Sequence, residues 1–211
     1  MNRPSFRIPW IVLFVVGFVL LALSPRAQAS NLQGSKTQAS KTQVAKPQAQ
    51  ASTSQAKTNL ALDKRVSASS SDERGSWGAR FLVDGQRDEK AGSRGWESSS
   101  DTKRNHTEWV QIDLGASATV GSVDIYPRND PARLGEGFPV DFTIETSADG
   151  QSWTVVVRKT NYGKPGNAVQ HFAFNAVAAR YVRVVGTNLR YLGAENAYYM
   201  QFAEIEVYSG S

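Results

Sequence analysis

The fold of this chain is decided by the stretch Trp109-Val110-Gln111-Ile112-Asp113-Leu114-Gly115. Within it, Val110, Ile112 and Leu114 alternate with polar residues. Successive side chains of a β-strand point to opposite faces, so this period of two predicts a strand with one buried face and one face in water.

The same alternation recurs along the rest of the chain. It is clearest at residues 142–145, 181–184 and 204–207, and each of these strands is also expected to have one wet face. No long helical pattern appears, and turn signals separate the strands. About eight or nine short strands are therefore expected in one all-β domain, a β-sandwich of the jelly-roll type. The further predicted strands are 66–69, 79–83, 120–126, 153–159 and 169–174.

The first residues have the composition of an export signal. Two arginines precede an apolar run of 16 residues at 8–23, and the small-residue site Ala27-Gln28-Ala29 follows. This pattern predicts a secretory signal peptide over residues 1–29. The run is shorter than the roughly 20 residues of a spanning helix, so cleavage is favoured, with an uncleaved anchor as the alternative. The expected location is secreted, periplasmic or extracellular.

Residues 30–58 are dominated by Gln, Ala, Ser, Thr and Lys and contain no aromatic residue, which predicts a disordered linker before a domain at 59–211. The net charge of +5 comes from the part before the domain, which has seven basic and no acidic residues. The domain has 17 basic and 19 acidic residues, so a nucleic-acid surface is not expected. The chain has no cysteine, which excludes disulfides.

Two acidic residues stand at opposite ends of the domain. Asp84 lies in Leu82-Val83-Asp84-Gly85, and Glu204 lies 120 positions later in Ala203-Glu204-Ile205-Glu206. If the terminal strands meet, the two carboxylates can share a calcium ion, which takes six to eight oxygen ligands. The alternative is a type I′ turn at Asp84-Gly85 and glutamates on a solvent-facing strand side. The spacing alone leaves both interpretations open.

An ordered set of motifs, spread over residues 59–211, resembles the discoidin domain, also called the coagulation factor 5/8 type C domain. The similarity is to its bacterial branch, which is grouped with family 32 carbohydrate-binding modules. The motifs are Asn59-Leu60-Ala61-Leu62-Asp63-Lys64, Trp77-Gly78, Leu82-Val83-Asp84-Gly85, Gly95-Trp96-Glu97-Ser98, Trp109-Val110-Gln111-Ile112-Asp113-Leu114-Gly115, Ile125-Tyr126-Pro127-Arg128, Phe138-Pro139-Val140-Asp141-Phe142, Ser147-Ala148-Asp149-Gly150, Ala179-Arg180-Tyr181-Val182-Arg183-Val184 and Ala203-Glu204-Ile205-Glu206-Val207-Tyr208.

The resemblance implies an eight-stranded, galactose-binding-domain-like jelly roll whose terminal strands come together. It also implies a structural calcium held by two carboxylates, backbone carbonyls and a hydroxyl. Asp88 and Glu89 are alternatives for the hydroxyl ligand, Ser93. Carried over onto this sequence, the ligands are Phe81, Asp84, Gln86, Ser93, Ala203 and Glu204.

A sugar site needs aromatic platforms and fixed polar partners, which the long loops of this chain supply. Trp77, which stands between Gly75 and Gly78, is expected to be exposed, whereas three other tryptophans are expected in the core: Trp96, Trp109 and Trp153. The candidate platforms are Trp77, Tyr162, Tyr191, Tyr198 and Tyr199. The candidate polar partners are Arg128, Asp130, Arg133, Glu136 and Glu97.

Arg128 leads this set, because an arginine in this loop donates to sugar hydroxyls in similar modules. An ion pair with Asp130 or Glu136 is the alternative role for it. The family's galactose-binding histidine has no match, since Glu97 follows Trp96 at that place, so galactose is not carried over.

These features favour an exported, non-catalytic, lectin-like module that binds a glycan or cell-surface polysaccharide. Catalysis has little support, because the chain has two histidines, no cysteine and no Gly-x-Ser-x-Gly elbow. Two alternatives stay open. One is an adhesion module that binds an envelope or extracellular protein. The other is a phospholipid-binding domain that inserts Tyr198-Tyr199-Met200.

Overall fold

A computed structural model describes residues 57–88, 92–99 and 103–210 of the chain. The predicted signal peptide and residues 30–56 of the predicted linker lie outside these residues. Among the described residues, no helix is both long and apolar enough to cross a membrane.

The described residues form short strands at the loops and two long strands through the middle of the domain. The only helix among them is a 3-10 helix at Ala79–Val83. The strands are β1 Arg65–Ala68, β2 Trp96–Glu97, β3 Glu108–Tyr126, β4 Asp141–Ser147, β5 Thr154–Lys159, β6 Gln170–Asn188, β7 Tyr191–Leu192, β8 Ala197–Tyr198, β9 Gln201–Phe202 and β10 Glu204–Ser209.

The long strands β3 and β6 each pass from one layer of the molecule to the other, and their pairing is interrupted after Asp113 and after Val120. In one layer, the first half of β3 pairs with β1 on one side and with the second half of β6 on the other. The second half of β6 also pairs with β4, and β4 pairs with β5. The second half of β3 pairs with β10 and with the first half of β6. Counted by halves, these are eight principal strands, five in one layer and three in the other. The predicted all-β jelly-roll sandwich is confirmed.

The core lies between the two layers. Val110 and Ile112 of β3 are buried as the alternation predicted. From the facing layers, Phe142 and Phe172 meet edge to face with ring centroids 5.6 Å apart. Such aromatic pairs add about 0.5–1.5 kcal/mol beyond the area that they bury.

The two ends of the domain meet, as the resemblance implied. The amide of Leu60 donates to the carbonyl of Val207 at 2.7 Å, and the side-chain oxygen of Asn59 accepts from the amide of Val207 at 3.1 Å. The segment before β1 is thereby tied to β10.

Two local predictions were wrong. Residues 79–83 form the 3-10 helix rather than a strand, because a segment of five residues, four of them apolar, is too short to show a period that separates the two. The expectation of one wet face per strand fails for β4 and β10, which are buried on both faces almost throughout. In β10 the second face is covered by the turn after the helix, through contacts to Glu204 and Glu206.

Of the three tryptophans that were expected in the core, only one is fully buried. Trp96 is fully buried as expected, but Trp109 and Trp153 are only half-buried. Trp109 occupies the outer face of β3, since its neighbour Val110 takes the inner one. The ring of Trp153 is covered by the guanidinium of Arg183, 3.8 Å from the ring centroid.

Candidate functional site

The first candidate site is the turn that follows the 3-10 helix. Asp84 ends the helix with φ −90°, and Gly85 has the left-handed φ of 78° that glycine adopts without strain. A type I′ turn needs positive φ at both residues, so that interpretation was wrong. The Gly85 amide donates to Oε1 of Glu204 at 3.0 Å, and Asp84 Oδ1 accepts from the Gln86 amide at 2.9 Å. The fold therefore brings Asp84 and Glu204, which stand at opposite ends of the domain sequence, close together.

Glu204 is 0% exposed, which contradicts the expectation of a solvated glutamate. Its second oxygen, Oε2, is buried and has no hydrogen-bond partner within residues 57–88, 92–99 and 103–210. Burial raises the pKa of Glu204 to about 9, and the negative charges of Asp84 and Glu206 add to the increase. A buried carboxylate needs a cation or a full set of donors, and the described part of the chain gives this one backbone amides alone.

The other predicted calcium ligands lie close by in the chain fold. Phe81 is in the helix and Gln86 is in the turn. Ser93 is buried, and its Oγ accepts from the Gly95 amide at 3.3 Å. Gly95 approaches the chain between β9 and β10 so closely that a Cβ there would lie 2.3 Å from the carbonyl oxygen of Ala203.

We call the group Phe81, Asp84, Gln86, Ser93, Ala203 and Glu204 the acidic turn site. No three His, Cys, Asp or Glu side chains cluster like metal ligands within the described residues. A cation here must draw its remaining oxygens from carbonyl and hydroxyl groups, as the resemblance implied. Of the alternatives to Ser93, Asp88 is described and Glu89 lies outside the described residues.

A second buried glutamate beside this site is fully satisfied. Glu206 accepts from the Arg87 guanidinium at 2.6 Å, from the Tyr126 hydroxyl at 2.9 Å and from the Tyr208 hydroxyl at 2.7 Å. Burial and the charge of Glu206 raise the pKa of Tyr208 to about 12. The Asn129 side chain also donates to the Arg87 carbonyl, which fixes the turn over β10.

The second candidate site is an open cleft of about 500 Å³ between the long loops. We call it the loop cleft. Its walls are almost entirely charged or polar. They are formed by Arg74, Trp77, Arg94, Glu97, Arg128, Asp130, Arg133, Glu195 and Tyr199.

Arg128 lies at the centre of the loop cleft, where the chain leaves β3. It pairs with Asp130, donates to Gln201 Oε1 at 3.2 Å, and lies over the ring of Trp77 at 5.3 Å. The predicted ion pair therefore exists, and it also orients the guanidinium toward the cleft. A planar guanidinium held on several sides is well suited to directional hydrogen bonds.

The floor of the loop cleft is a hydrogen-bonded pair of buried side chains. Gln201 donates through Nε2 to Glu97 and accepts from Arg128. Burial raises the pKa of Glu97, whereas its bond to Gln201 lowers it. Gly137 has a positive φ of 71° and packs against Gln201. A Cβ at this position would clash, because it would lie 2.7 Å from the Gln201 side chain. A larger residue at this position would displace the floor.

One wall of the loop cleft is an ion-pair network. Arg133 pairs with Glu195 and, at 3.4 Å, with Glu136. The Tyr199 hydroxyl donates to Glu195 at 2.5 Å. Burial raises the pKa of Glu195, but the bonds from Tyr199 and Arg133 outweigh it, so the pKa lies below its ordinary value.

Trp77 lines the loop cleft but is not the exposed platform that we expected. Its side chain is 8% exposed, because the guanidinium of Arg128 covers one ring face and the residue pairs with Gly95 in an isolated bridge. The flanking glycines Gly75 and Gly78, from which exposure was predicted, do not place Trp77 at the surface. Tyr199 is likewise buried and offers only its hydroxyl.

The remaining predicted ligand residues lie beside or away from the cleft. Glu136 and the exposed Tyr191 line a smaller neighbouring cavity of about 140 Å³, which we call the side pocket. Tyr162 packs in the aromatic core against Phe138 and at its edge bonds Gln170. Tyr198 is half-buried against the core. The structure thus brings Trp77, Arg128 and Asp130 together in the loop cleft, with Glu136 and Tyr191 adjacent.

The predicted lipid spike is contradicted by burial. Tyr199 and Met200 are 1% and 0% exposed, because their segment runs inward to join β9. Only the half-buried Tyr198 reaches the surface of that segment.

The model of the F5/8 type C domain family matches residues 65–205. The chain belongs to this family. No curated protein matches the sequence.

Solved structures of similar fold are carbohydrate-binding modules and lectin domains. Chitosan-binding module 1 of a chitosanase/glucanase from Paenibacillus sp. IK-5 is 30% identical over 72% of this chain and 99% of that one, with a TM-score of 0.55. The lectin domain of lectinolysin in complex with Lewis b antigen is 26% identical over 73% and 98%, with a TM-score of 0.54. The family 32 module of Clostridium perfringens NanJ, in complex with galactose, shares the fold at 20% identity over 73% and 100%, with a TM-score of 0.58.

Four residues of this F5/8 type C domain that shape the loop cleft escaped sequence reasoning. Arg74 and Arg94 stand in loops with no periodic signal, and Glu195 follows a Gly-Ala pair that reads as a plain turn. Gln201 precedes the closing motif, which begins at Ala203, and no motif includes it. The order of motifs places strands, whereas these side chains come from three separate loops and from β9.

Proposed function

We propose that this F5/8 type C domain is an exported, non-catalytic carbohydrate-binding module that takes its glycan in the loop cleft. The family and the fold support this proposal. The structural relatives described above are modules that bind chitosan, Lewis b antigen or galactose. The signal-like sequence at residues 1–29 supports export.

The observation that carries the proposal is the preassembled polar network of the loop cleft. Arg128 is fixed by Asp130, Gln201 and Trp77, and Glu97 is fixed by Gln201. Glycan recognition requires donors and acceptors held in place before binding, because each ordered side chain otherwise costs about 0.5–1.5 kcal/mol of binding free energy. The open shape suits a sugar chain that enters from solvent.

The acidic turn site fits a structural calcium ion. Its unpartnered, buried Glu204 Oε2 and the neighbouring Asp84 carboxylate would be the charged ligands. Neutral oxygens would come from Ser93 and from the carbonyls of Phe81, Gln86 and Ala203. A bound calcium ion supplies positive charge between the turn and β10, and it has no part in glycan chemistry.

The test is a glycan array followed by titration calorimetry on the best hit, with the Arg128→Ala variant. We expect Arg128→Ala to weaken binding at least tenfold, or about 1.4 kcal/mol, because it removes a fixed donor and releases Asp130 and Gln201. Arg180→Ala is the matched control. Arg180 makes a similar two-bond pair with Asp113 at 2.8 Å, on the outer face of the sheet.

Equal weakening by both variants would assign the effect to stability rather than to the cleft. An array without any hit, across neutral, acidic and basic glycans, would contradict the proposal. A partner protein that is captured from envelope extracts and resists competing sugars would instead favour the adhesion alternative.

A further inference from the structure

The side pocket, which shares Arg133 and Glu195 with the loop cleft, holds more positive than negative charge. Three basic residues line it: Arg133, Lys164 and Arg190. Its carboxylates are Glu136 and Glu195, and Arg133 pairs with both of them. The two carboxylates are therefore engaged by one of the three cations.

Arg190 is a charge without a carboxylate partner among the described residues. Its guanidinium donates to two backbone carbonyls, that of Phe138 at 3.2 Å and that of Tyr162 at 2.7 Å. Burial lowers the pKa of Arg190, and no carboxylate offsets this effect. Neutral carbonyls fix the position of the guanidinium but leave its positive charge uncompensated.

Lys164 adds a second such charge at the mouth of the side pocket. It stands on the exposed loop between β5 and β6, and it makes no ion pair within the described residues. The domain as a whole carries more acidic than basic residues, 19 against 17 from Asn59 onward. The positive charge at the side pocket is thus local to this surface.

The size of the side pocket limits what can enter it. About 140 Å³ is small compared with the roughly 300–1,000 Å³ of pockets for whole ligands. It suits a substituent rather than a sugar ring. The ring of Tyr191 stands at the rim, 51% exposed, with its hydroxyl bonded to Asn196 at 3.0 Å, and offers a flat face for the sugar that carries that substituent.

We propose that the side pocket binds an anionic group, a carboxylate or a sulfate ester, of a glycan whose neighbouring rings occupy the loop cleft. This inference rests on the proposed function, since it assigns the ligand class of the same site. It departs from the chitosan-binding relative, because chitosan carries amines that these cations would repel.

The experiment compares acidic oligosaccharides with their neutral forms by titration calorimetry on the full-length protein. The probes are trigalacturonic acid with its methyl ester, and a sulfated galactan tetrasaccharide with its desulfated form. Chitosan trisaccharide serves as the basic probe. We expect one acidic form to bind at least about fivefold more tightly than its neutral form at low salt, and the difference to shrink in about 0.5 M salt.

Lys164→Gln tests the side pocket directly. This variant should reduce severalfold the ratio of the affinity for the acidic form to that for the neutral form, and it should leave the affinity for the neutral form unchanged. Lys57→Gln, on a different surface cavity, is the matched control and should change neither. The pair that shows the preference identifies the group as carboxylate or sulfate.

Two results would overturn the inference while leaving the proposed function intact. One is equal affinity for acidic and neutral forms in both pairs, and the other is tightest binding of the chitosan trisaccharide. If none of the five oligosaccharides binds, in agreement with an array without hits, the proposed function fails and this inference fails with it.

Discussion

Glu204 in the acidic turn site and Glu195 in the loop cleft are both glutamates that a loop packs against, yet their surroundings differ. Glu195 accepts from Tyr199 and pairs with Arg133, and its pKa is lowered. Glu204 accepts from the Gly85 amide, its Oε2 has no partner among the described residues, and its pKa is raised. Among the described residues, Glu195 has a cationic partner, whereas Glu204 has none.

This difference agrees with the two roles proposed above, glycan binding for the loop cleft and calcium binding for the acidic turn site. A cleft that waits for a ligand in water must hold its charges in place while empty, and internal ion pairs do this at low cost. A buried carboxylate without a cation destabilises the fold by its desolvation, and an external cation removes that cost. Measurements that add or remove charge at each region therefore test the comparison.

The largest expected effect is that of calcium on stability. At a calcium concentration about 100 times Kd, binding only to the folded state adds about 2.7 kcal/mol. For a domain of this size the Tm should rise by roughly 5–11 °C. Thermal unfolding in calcium and in chelator measures it.

The controls for calcium are conservative replacements. Asp84→Asn and Glu204→Gln should abolish the calcium-dependent rise in Tm, whereas Asp113→Asn, at a surface ion pair, should retain it. In chelator, Glu204→Gln should be at least as stable as the parent, because an amide brings no charge into the buried position. A parent protein whose Tm is the same in calcium and in chelator would refute the calcium proposal.

Replacing Arg87 by alanine should lower the free energy of unfolding, by less than the removal of calcium does. Among the described residues, the change removes the one cation that pairs with the buried Glu206, which keeps the hydroxyls of Tyr126 and Tyr208. Because the Arg87 side chain is half exposed, we expect a loss of about 1–3 kcal/mol in the free energy of unfolding, less than for a fully buried pair.

Chemical denaturation in saturating calcium measures this loss, with Arg74→Ala as a control. Arg74 pairs with Asp72 at 2.7 Å, but its side chain is far more exposed. An equal, small loss from both variants would mean that Glu206 does not depend on Arg87, and the contrast between Glu206 and Glu204 would weaken.

The fold was accessible from the sequence because strand alternation is local. Residues such as Val110 and Ile112 carry their period with them, and the ordered motifs fixed the jelly roll. The 3-10 helix at Ala79–Val83 was missed because five residues are too few to show a period. The burial of Glu204 was also beyond local reasoning, since the turn that covers it lies 119 positions away.

The loop cleft could be predicted only in part. Arg128 and Asp130 were found because they share one loop, and their pairing is local. The positions of Glu195 and Gln201 depend on loops that meet only in the folded state. Trp77 lines the cleft but was expected to be exposed, and it is buried because its cover, Arg128, comes from a distant segment.

The smallest effect is expected for Glu195→Gln. The amide can still accept from Tyr199, and Arg133 keeps Glu136 at 3.4 Å, so the cleft retains a neutralised arginine. With its side chain 35% exposed, the pair should contribute less than about 1 kcal/mol at pH 7.

The pH dependence gives the sign of that contribution. The folded pKa of Glu195 is below its ordinary 4.5, so the contribution is fully present above that value and is lost as the pH falls through the folded pKa. In saturating calcium, the difference between the unfolding free energies of parent and variant should therefore stay constant from pH 7 to about pH 5.5 and shrink at lower pH. A loss above about 2 kcal/mol at pH 7 would show that the cleft has no reserve partner for Arg133. The loop cleft would then resemble the acidic turn site in depending on a single charge.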